Sequence, residues 1–385
     1  MLPKKTCTGC SACMSICPKN CICMTRNTDG FLYPKIDTKV CVNCGLCEKI
    51  CPVIKEKNQE QQNQEQQNHP TTYAASILNE EVRKNSSSGG IFTVIAEQII
   101  ESNGMVYGAA FSEDLSVKHI GVTNTSDLDK LRRSKYVQSD LNGCFKEIKE
   151  QLENNTTVLF SGTPCQVGGL LSYLQKPYEN LITLDFVCHG VPSPKVWEEY
   201  LSYQEKAYNS KIIEVNFRDK SKGWKTSSIS LVFKNGKNYK KGFGEDTYMK
   251  AFLSNISLRS SCYGCKYKST NRKSDLTLAD YWGIDKVNPS LDDNKGLSMV
   301  LVQSKKGEEL LNKARNSITL TETDVTEVFT YNPCIIKSVY EHNFRQYFFN
   351  RLGKTDFQKL VNNCLSPSYL TRLHRKLLQL KGGEN

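Results

Sequence analysis

The stretch Cys7-Thr-Gly-Cys10-Ser-Ala-Cys13-Met-Ser-Ile-Cys17-Pro18 returns as Cys41-Val-Asn-Cys44-Gly-Leu-Cys47-Glu-Lys-Ile-Cys51-Pro52. Both copies have the pattern C-x2-C-x2-C-x3-C-P, whose first three thiolates are spaced to bind three corners of one cubane iron–sulfur cluster. The fourth cysteine follows three residues later, at the predicted start of a short helix, and points away from that cluster. The repeat therefore predicts two [4Fe-4S] clusters and a role in electron transfer.

This repeat resembles that of bacterial two-cluster ferredoxins, in which the fourth cysteine of each run binds the other cluster. The resemblance implies two crossed ligand sets: Cys7, Cys10, Cys13 and Cys51 for one cluster, and Cys41, Cys44, Cys47 and Cys17 for the second. Zinc is the alternative, because it also binds CxxC pairs in tetrahedral sites. Four in-line cysteines with a closing proline suit zinc poorly.

The composition is that of a globular protein with room for two or three domains, with 385 residues, 38% of them hydrophobic and 24% charged. The net charge of +11 counts every cysteine as neutral, although cluster ligands are thiolates. The positive net charge is thus weak evidence for nucleic-acid binding, and the sequence carries no nucleic-acid-binding signature. Since we find neither a signal-peptide pattern nor an apolar run of membrane-spanning length, we predict a cytoplasmic protein without a membrane span.

Between the two cysteine runs, residues 21–25 and 31–36 are predicted to form two strands joined by a turn at Gly30. Cys21 and Cys23 alternate with apolar residues there, and we interpret them as packing residues rather than ligands. Residues 55–69 contain no apolar residue, which predicts a flexible Gln/Asn-rich linker over 55–71 that tethers a ferredoxin domain at 1–54.

The rest of the chain alternates strand-like and helix-like patterns, which predicts an α+β protein with a mixed α/β body over 72–332. We expect strands at 72–78, 106–111, 117–122, 157–160 and 181–187, helices at 91–100 and 141–152, and an inserted hairpin from 213 to 233. Residues 333–385 are predicted to form a basic helical extension. Its leucine stripe (Leu370, Leu373, Leu377 and Leu380) is expected to pack on the protein's own surface rather than on a membrane.

A second group of cysteines lies in the body. Cys165 and Cys188 each follow a buried apolar strand, and ligands collect at the carboxyl ends of strands in open α/β sheets. Cys262-Tyr-Gly-Cys265 adds two further thiols. The spacing alone leaves two interpretations equally open: a third cluster, or structural cysteines with a small zinc site.

These stretches resemble the beta subunit family of coenzyme F420-reducing hydrogenases and dehydrogenases, which includes plant 7-hydroxymethyl chlorophyll a reductase. The matching residues are Ser86-Ser-Ser-Gly-Gly90, Ser134-Lys-Tyr-Val-Gln-Ser139, Gly162-Thr-Pro-Cys-Gln-Val167, Cys188-His-Gly-Val-Pro-Ser-Pro194, Phe217-Arg-Asp-Lys220 with Gly223-Trp224, Cys262-Tyr-Gly-Cys265, and Leu278-Ala-Asp-Tyr-Trp-Gly283. Arg133 departs from the pattern, because a glycine is expected before the Ser-Lys-Tyr-Val run.

The resemblance implies that the body binds FAD and holds its own [4Fe-4S] cluster through Cys165, Cys188, Cys262 and Cys265. It also implies the flavin contacts, for which we predict Ser86, Ser87, Ser88, Gly89, Gly90, Lys135, Tyr136, Gln138, Thr163 and Gln166. From the residues themselves, loop 86–90 opens a predicted helix, where free N–H groups favour a pyrophosphate, although such loops are often only helix caps. His189 and Lys135 are the candidate catalytic residues. His189 would act as a proton donor near the flavin or as a hydrogen-bond donor to cluster sulfur, and Lys135 would place a charge beside the flavin.

The sequence thus predicts an iron–sulfur flavoprotein oxidoreductase that passes electrons between a ferredoxin-like carrier, the clusters and FAD, to or from an organic hydride partner such as a deazaflavin. A non-catalytic subunit that connects a partner enzyme to ferredoxin is the main alternative, and a zinc-binding interaction protein is a third. No residue selects the substrate or the direction of electron flow, and the oligomeric state, a homo-oligomer included, stays open.

Overall fold

Short helices and one hairpin make up the N-terminal head. The computed structural model describes residues 2–59, 69–368 and 371. It gives the head elements as α1 Ala12–Ile16, β1 Ile22–Arg26, β2 Leu32–Ile36, α2 Leu46–Lys49 and α3 Pro52–Gln59. The antiparallel pairing of β1 with β2 agrees with the predicted strand–turn–strand. The predicted helix start after the fourth cysteine is correct for Cys51, whereas Cys17 ends α1 and leads through a turn directly into β1.

The predicted linker, residues 55–71, begins inside a helix. α3 continues to Gln59. A segment rich in Lys, Glu and Gln cannot form a hydrophobic core, but these residue types have high helix propensity. Residues 60–68 lie outside the described residues, and the first strand of the body starts at Thr72.

An eight-stranded mixed sheet forms the centre of the body. Its strands are β3 Thr72–Ile77, β4 Met105–Phe111, β5 Val117–Val122, β6 Val158–Ser161, β7 Leu181–Phe186, β11 Leu276–Asp280, β12 Ser298–Val302 and β13 Ile318–Thr323, in the order β13-β3-β12-β11-β7-β6-β4-β5. β4, β6, β7 and β11 are parallel neighbours. Since β3 and β11 are each antiparallel to β12, β3 runs in the same direction, and five strands end at one edge.

Helices cover both faces of this sheet, and alternate residues of each strand point to opposite faces. The body helices are α4 Glu80–Lys84, α5 Ile91–Glu101, α6 Cys144–Glu153, α7 Pro164–Leu174, α8 Pro194–Tyr208, α9 Thr247–Leu253, α10 Ile284–Val287 and α11 Lys305–Ala314. Leu159 packs with α5 and α11, whereas its neighbours Val158 and Phe160 pack with α6 and α7. α6 begins three residues later than predicted, because Gly143 caps it with φ 83°.

A second, three-stranded antiparallel sheet stands beside the first, with β8 Ile212–Asp219, β9 Ser228–Phe233 and β10 Asn238–Gly242 in the order β10-β9-β8. It shares a core with α8, α9 and the C-terminal helices α12 Arg345–Arg351 and α13 Phe357–Leu365. The predicted leucine stripe from 370 to 380 lies outside the described residues. Over residues 2–59, 69–368 and 371, no helix is long and apolar enough to span a bilayer.

The head packs directly on the body. Arg259, which is 1% exposed, donates from Nε to the carbonyl of Cys7 (2.8 Å) and from Nη1 to the carbonyl of Leu32 (3.0 Å). Arg345 forms an ion pair with Asp29 of the head at 3.0 Å. Buried charged hydrogen bonds of this kind contribute about 1.5–3 kcal/mol each. The structure therefore shows a docked head, where the linker composition alone predicted a tethered one.

Candidate cofactor cavity and thiol sets

A cavity of about 940 Å³ opens at the edge where the five strands end. Its volume lies at the upper end of the roughly 300–1,000 Å³ that is usual for ligand and cofactor sites. All of the predicted flavin contacts except Gly89 line it, as do Cys165, Cys188 and both candidate catalytic residues. The structure therefore brings these residues, which are spread over more than one hundred positions of the chain, to one place.

Loop 86–90 borders the cavity, but its polar side chains already have partners within the protein. The hydroxyl of Ser88 donates to the carbonyl of Leu297 (2.7 Å), and the hydroxyls of Ser87 and Ser134 are 3.0 Å apart. Gly89 allows close strand packing, because a Cβ there would lie 2.3 Å from the carbonyl oxygen of Ala75. The serines and Gly89 thus hold the loop in place, and what the loop offers a ligand is its backbone at the start of α5.

Lys135 was predicted to place a charge beside the flavin, but in the structure its side chain is turned toward the backbone of the cavity wall. Its ammonium donates to the carbonyls of Lys130 (2.9 Å) and Arg132 (2.7 Å), so it closes a turn at the cavity wall. Burial lowers the pKa of Lys135 to about 7. Arg133, which replaces the glycine of the family pattern, has φ 68°, the left-handed region that favours glycine. The backbone therefore adopts a left-handed conformation at Arg133, and this conformation costs more free energy for arginine than it would for glycine.

Several other predicted contacts also support the cavity wall. Thr163 and Gln166 form a capping box at the start of α7, and Gln166 donates from Nε2 to Ser139 (2.9 Å). Gln138 accepts from the backbone N–H of Leu32 in the head (3.0 Å). The ring of Tyr136 stacks on that of Phe252 with centroids 4.9 Å apart. These side chains fix the shape of the cavity.

Two buried polar side chains at the cavity were missed by the sequence reasoning. Arg218 is 4% exposed and His119 is 5% exposed, and each has one ring or guanidinium nitrogen without a hydrogen-bond partner within the described residues, Nε of Arg218 and Nδ1 of His119. Arg218 is held by Asp280 (3.1 Å) and lies 5.3 Å from the ring centroid of Trp282. Burial lowers the pKa of His119 to about 4, so its imidazole is neutral at neutral pH. An unpartnered buried nitrogen is costly unless a ligand satisfies it, and this cost is the signal that the cavity is built for one.

The four body thiols predicted as ligands lie close to one another, and two of them, Cys165 and Cys188, line the cavity. The charges of Cys188, Cys262 and Cys265 all act on the thiol of Cys165, and those of Cys262 and Cys265 act on Cys188. Burial raises the pKa of Cys188 to about 12 and that of Cys262 to about 11. Buried thiols that are so hard to ionise need a metal charge to exist as thiolates. This environment fits an iron–sulfur cluster.

His189 lies beside Cys188 and takes part in a chain of polar contacts. Its Nε2 is 2.7 Å from Oδ1 of Asn255, and its Nδ1 is 3.6 Å from Sγ of Cys334. Burial lowers the pKa of His189, which favours the neutral ring with its N–H on Asn255. A proton-donor role would require that bond to open, and it stays a prediction. Cys334, which belongs to no cysteine motif, lines the cavity, whereas Cys144 and Cys364 are buried in the core.

In the head, four thiols surround a small cavity of about 20 Å³, and we call them the proximal set: Cys7, Cys10, Cys13 and Cys51. This is the crossed grouping implied by the ferredoxin resemblance. Thr8 and Gly9 line both this small cavity and the large one. The proximal set is therefore separated from the cofactor cavity by one turn of chain.

The other four cysteines of the repeat form what we call the distal set: Cys17, Cys41, Cys44 and Cys47. Cys44 is exposed, while Cys41 and Cys47 are partly exposed and their charges act on each other. Cys17 is buried and connects to Cys41 through Cys21, which contacts both. The distal set thus lies at the surface of the head.

Over residues 2–59, 69–368 and 371, no group of three or more His, Cys, Asp or Glu side chains is close enough to hold a single metal ion.

Helix α7 links the proximal set to the body thiols. Cys165 lies in its first turn, and Gly169, one turn later, faces Cys10 of the proximal set. A Cβ at position 169 would lie 2.6 Å from the Cβ of Cys10 and 2.9 Å from its Sγ. Because Gly169 has no side chain, the head can pack closely against α7 at this position.

Comparison with known proteins gives two family matches. Residues 155–328 match a model for the C terminus of the beta subunit of coenzyme F420 hydrogenase/dehydrogenase, and residues 6–54 match a 4Fe-4S dicluster domain. Thirteen chains of solved structures match. One belongs to the F420-reducing [NiFe] hydrogenase complex from Methanosarcina barkeri, with 16% identity over 69% of this chain and 89% of that chain, and a TM-score of 0.49. No curated protein matches the chain.

Proposed function

We propose that the chain is an FAD-dependent iron–sulfur oxidoreductase. The proposal is supported by the match of residues 155–328 to the coenzyme F420 hydrogenase/dehydrogenase beta subunit model and of residues 6–54 to a 4Fe-4S dicluster domain. The observation that carries the proposal is the cavity of about 940 Å³, which is lined by Cys165 and Cys188 of the body thiols and by Thr8 and Gly9 of the head. Clusters carry single electrons, and bound FAD can exchange them for a hydride with an organic partner.

The residues that would hold these groups lie in a definite order. The distal set is at the surface and the proximal set packs on α7. Cys165 of the body thiols lies in the first turn of α7, and the cavity opens beside it. Cys44 is the exposed cysteine of the three sets, so an external electron carrier can approach it without displacing the head. We therefore assign the surface around Cys44 as the side that faces the carrier, and the cavity as the side that faces the hydride partner.

Within the cavity, each polar group has a distinct role in the proposal. Arg218 supplies a fixed positive charge that Asp280 orients, which suits a phosphate or a reduced flavin ring. The neutral His119 supplies a hydrogen-bonding nitrogen without adding charge. Tyr136 and Trp282 give aromatic walls for a planar ring.

The cofactor content of anaerobically purified, reconstituted protein tests the proposal. We expect about twelve irons per chain, because each of three cubanes contains four, together with acid-labile sulfide, bound FAD and no stoichiometric zinc. Iron sufficient for the head alone, without flavin, would contradict the assignment of the body. Full cofactor loading with turnover only in the presence of another chain would identify the alternative, an electron-transfer subunit.

Arg218→Ala is expected to weaken flavin binding. The loss of a charged hydrogen bond costs about 1.5–3 kcal/mol, which corresponds to roughly 10- to 100-fold in the dissociation constant. Quenching of flavin fluorescence on titration into flavin-depleted protein measures the effect. Arg345→Ala is the matched control, because Arg345 is also buried and paired with an aspartate, at 3.0 Å, but away from the cavity. Equal flavin affinity in the two variants would show that Arg218 does not contribute to flavin binding.

A further inference from the structure

Cys21 lies against the distal set, although it belongs to neither cysteine run. Its Sγ is 3.4 Å from the Sγ of Cys17, and its thiol also contacts that of Cys41. Its side chain is 8% exposed and packs with Cys13, Cys17 and Ile22. The burial of Cys21 agrees with the packing role predicted for it, whereas Cys23, for which the same role was predicted, is exposed. The nearest neighbours of Cys21 include two predicted ligands of one cluster.

The backbone holds the two sulfurs together. Between Cys17 and Cys21 the chain makes a tight turn, in which the N–H of Asn20 donates to the carbonyl of Cys17 (3.2 Å) and Asn20 has φ 49°. Lys146 of the body donates to the side chain of Asn20 (2.8 Å). The carbonyl of Cys21 accepts from the N–H of Asp37 (2.8 Å), at the end of the hairpin. The closeness of the two thiols therefore rests on an anchored turn.

We propose that Cys21 is a reserve ligand of the distal cluster, which replaces Cys17 on the same iron when Cys17 is removed or released. In this exchange the iron–sulfur bond to Cys17 breaks and one to Cys21 forms. The proton that leaves the thiol of Cys21 passes to the released thiolate of Cys17, and no electron is transferred. The required displacement is small, because the two sulfurs already touch.

The proximal set differs in this respect. Its fourth ligand, Cys51, has the thiols of Cys7 and Cys47 as charged neighbours, and both are already assigned as ligands. The reserve thiol thus accompanies the cluster at the exposed end of the head, where solvent and oxidants have access. The inference rests on the dicluster domain, and it is independent of whether the body binds flavin.

The test compares four variants of the full chain, purified anaerobically: Cys17→Ala, Cys21→Ala, Cys17→Ala/Cys21→Ala and, as the matched fourth-ligand control, Cys51→Ala. Iron and sulfide content and the electron paramagnetic resonance spectrum of the reduced protein are the measurements. We expect the two single variants at Cys17 and Cys21 to keep wild-type iron, with an altered spectrum for Cys17→Ala. The double variant and Cys51→Ala should each lose about four irons per chain, the content of one cubane.

Two results would overturn the inference: loss of four irons in Cys17→Ala itself, or full iron in the double variant. Cys17→Ala/Cys21→Ser keeps the buried volume at position 21, and it gives the same comparison should the double alanine variant fold poorly. Wild-type protein without head clusters would overturn both this inference and the proposed function. Missing flavin with intact head clusters would affect the proposed function alone.

Discussion

The Cys165→Ala protein is expected to lose about four irons per chain, the content of one cubane, and to stop transferring electrons from the head to the flavin. Cys165 is the body thiol on which the charges of the other three act, and it lies in the first turn of α7, between the proximal set and the cavity. A cubane that loses one of its four thiolates loses a ligand that neither of the other cysteine sets can supply. The two head clusters keep all of their ligands and should be unchanged.

Iron and sulfide analysis gives the first measurement for Cys165→Ala, and stopped-flow absorbance at the flavin band, after mixing with a reduced low-potential carrier, gives the second. Cys334→Ala is the control, since Cys334 lines the same cavity and contacts His189 at 3.6 Å but lies outside the set of four. It should keep its iron. Wild-type iron content in Cys165→Ala would show that the body thiols hold no cluster.

Gly169→Leu is expected to separate the head from the body while leaving every cofactor in place. A Cβ at this position would lie 2.6 Å from that of Cys10, and overpacking of this kind costs about 1–3 kcal/mol. The helix itself should not suffer, because leucine is a better helix former than glycine by roughly 0.8 kcal/mol. The strain therefore falls on the contact between α7 and α1.

The expected results for Gly169→Leu are faster amide hydrogen exchange in α1 and slower reduction of the flavin by the carrier, at unchanged iron and flavin content. Gly244→Leu provides a control at an exposed glycine whose added Cβ would meet no atom within 4 Å. Reduction at the wild-type rate in Gly169→Leu would mean that electrons do not cross at this contact.

Where a predicted site consists of residues close together in the chain, their spacing alone is informative. The first three predicted ligands of each head cluster lie within seven residues, and the match to a 4Fe-4S dicluster domain agrees with that spacing. The strands before Cys165 and Cys188 were also predictable, because buried parallel strands are continuous apolar runs. Their common edge then followed from the rule for open α/β sheets.

The sequence alone was less informative where a side chain has more than one possible partner. The structure shows that Thr163 and Gln166 cap α7 and that Lys135 closes a turn. The sequence does not distinguish these structural roles from flavin binding, because polar residues are suited to both. Arg218 and His119 were missed for the same reason: only burial without a partner distinguishes them from surface residues.

The sequence by itself determined two cysteine runs typical of a 4Fe-4S dicluster domain, a mixed α/β body with a second set of cysteines, and the resemblance of that body to a known family, with which the match of residues 155–328 agrees. These features depend on local spacing and on periodicity, which the chain carries in its order. Only the tertiary structure decided that the head docks through Arg259 and Gly169, that the predicted flavin contacts share one cavity, and that Cys21 touches Cys17. Those features depend on which surfaces meet. The alternation of apolar and polar residues along a strand shows which face of the strand is buried, but it does not show which part of the protein covers that face.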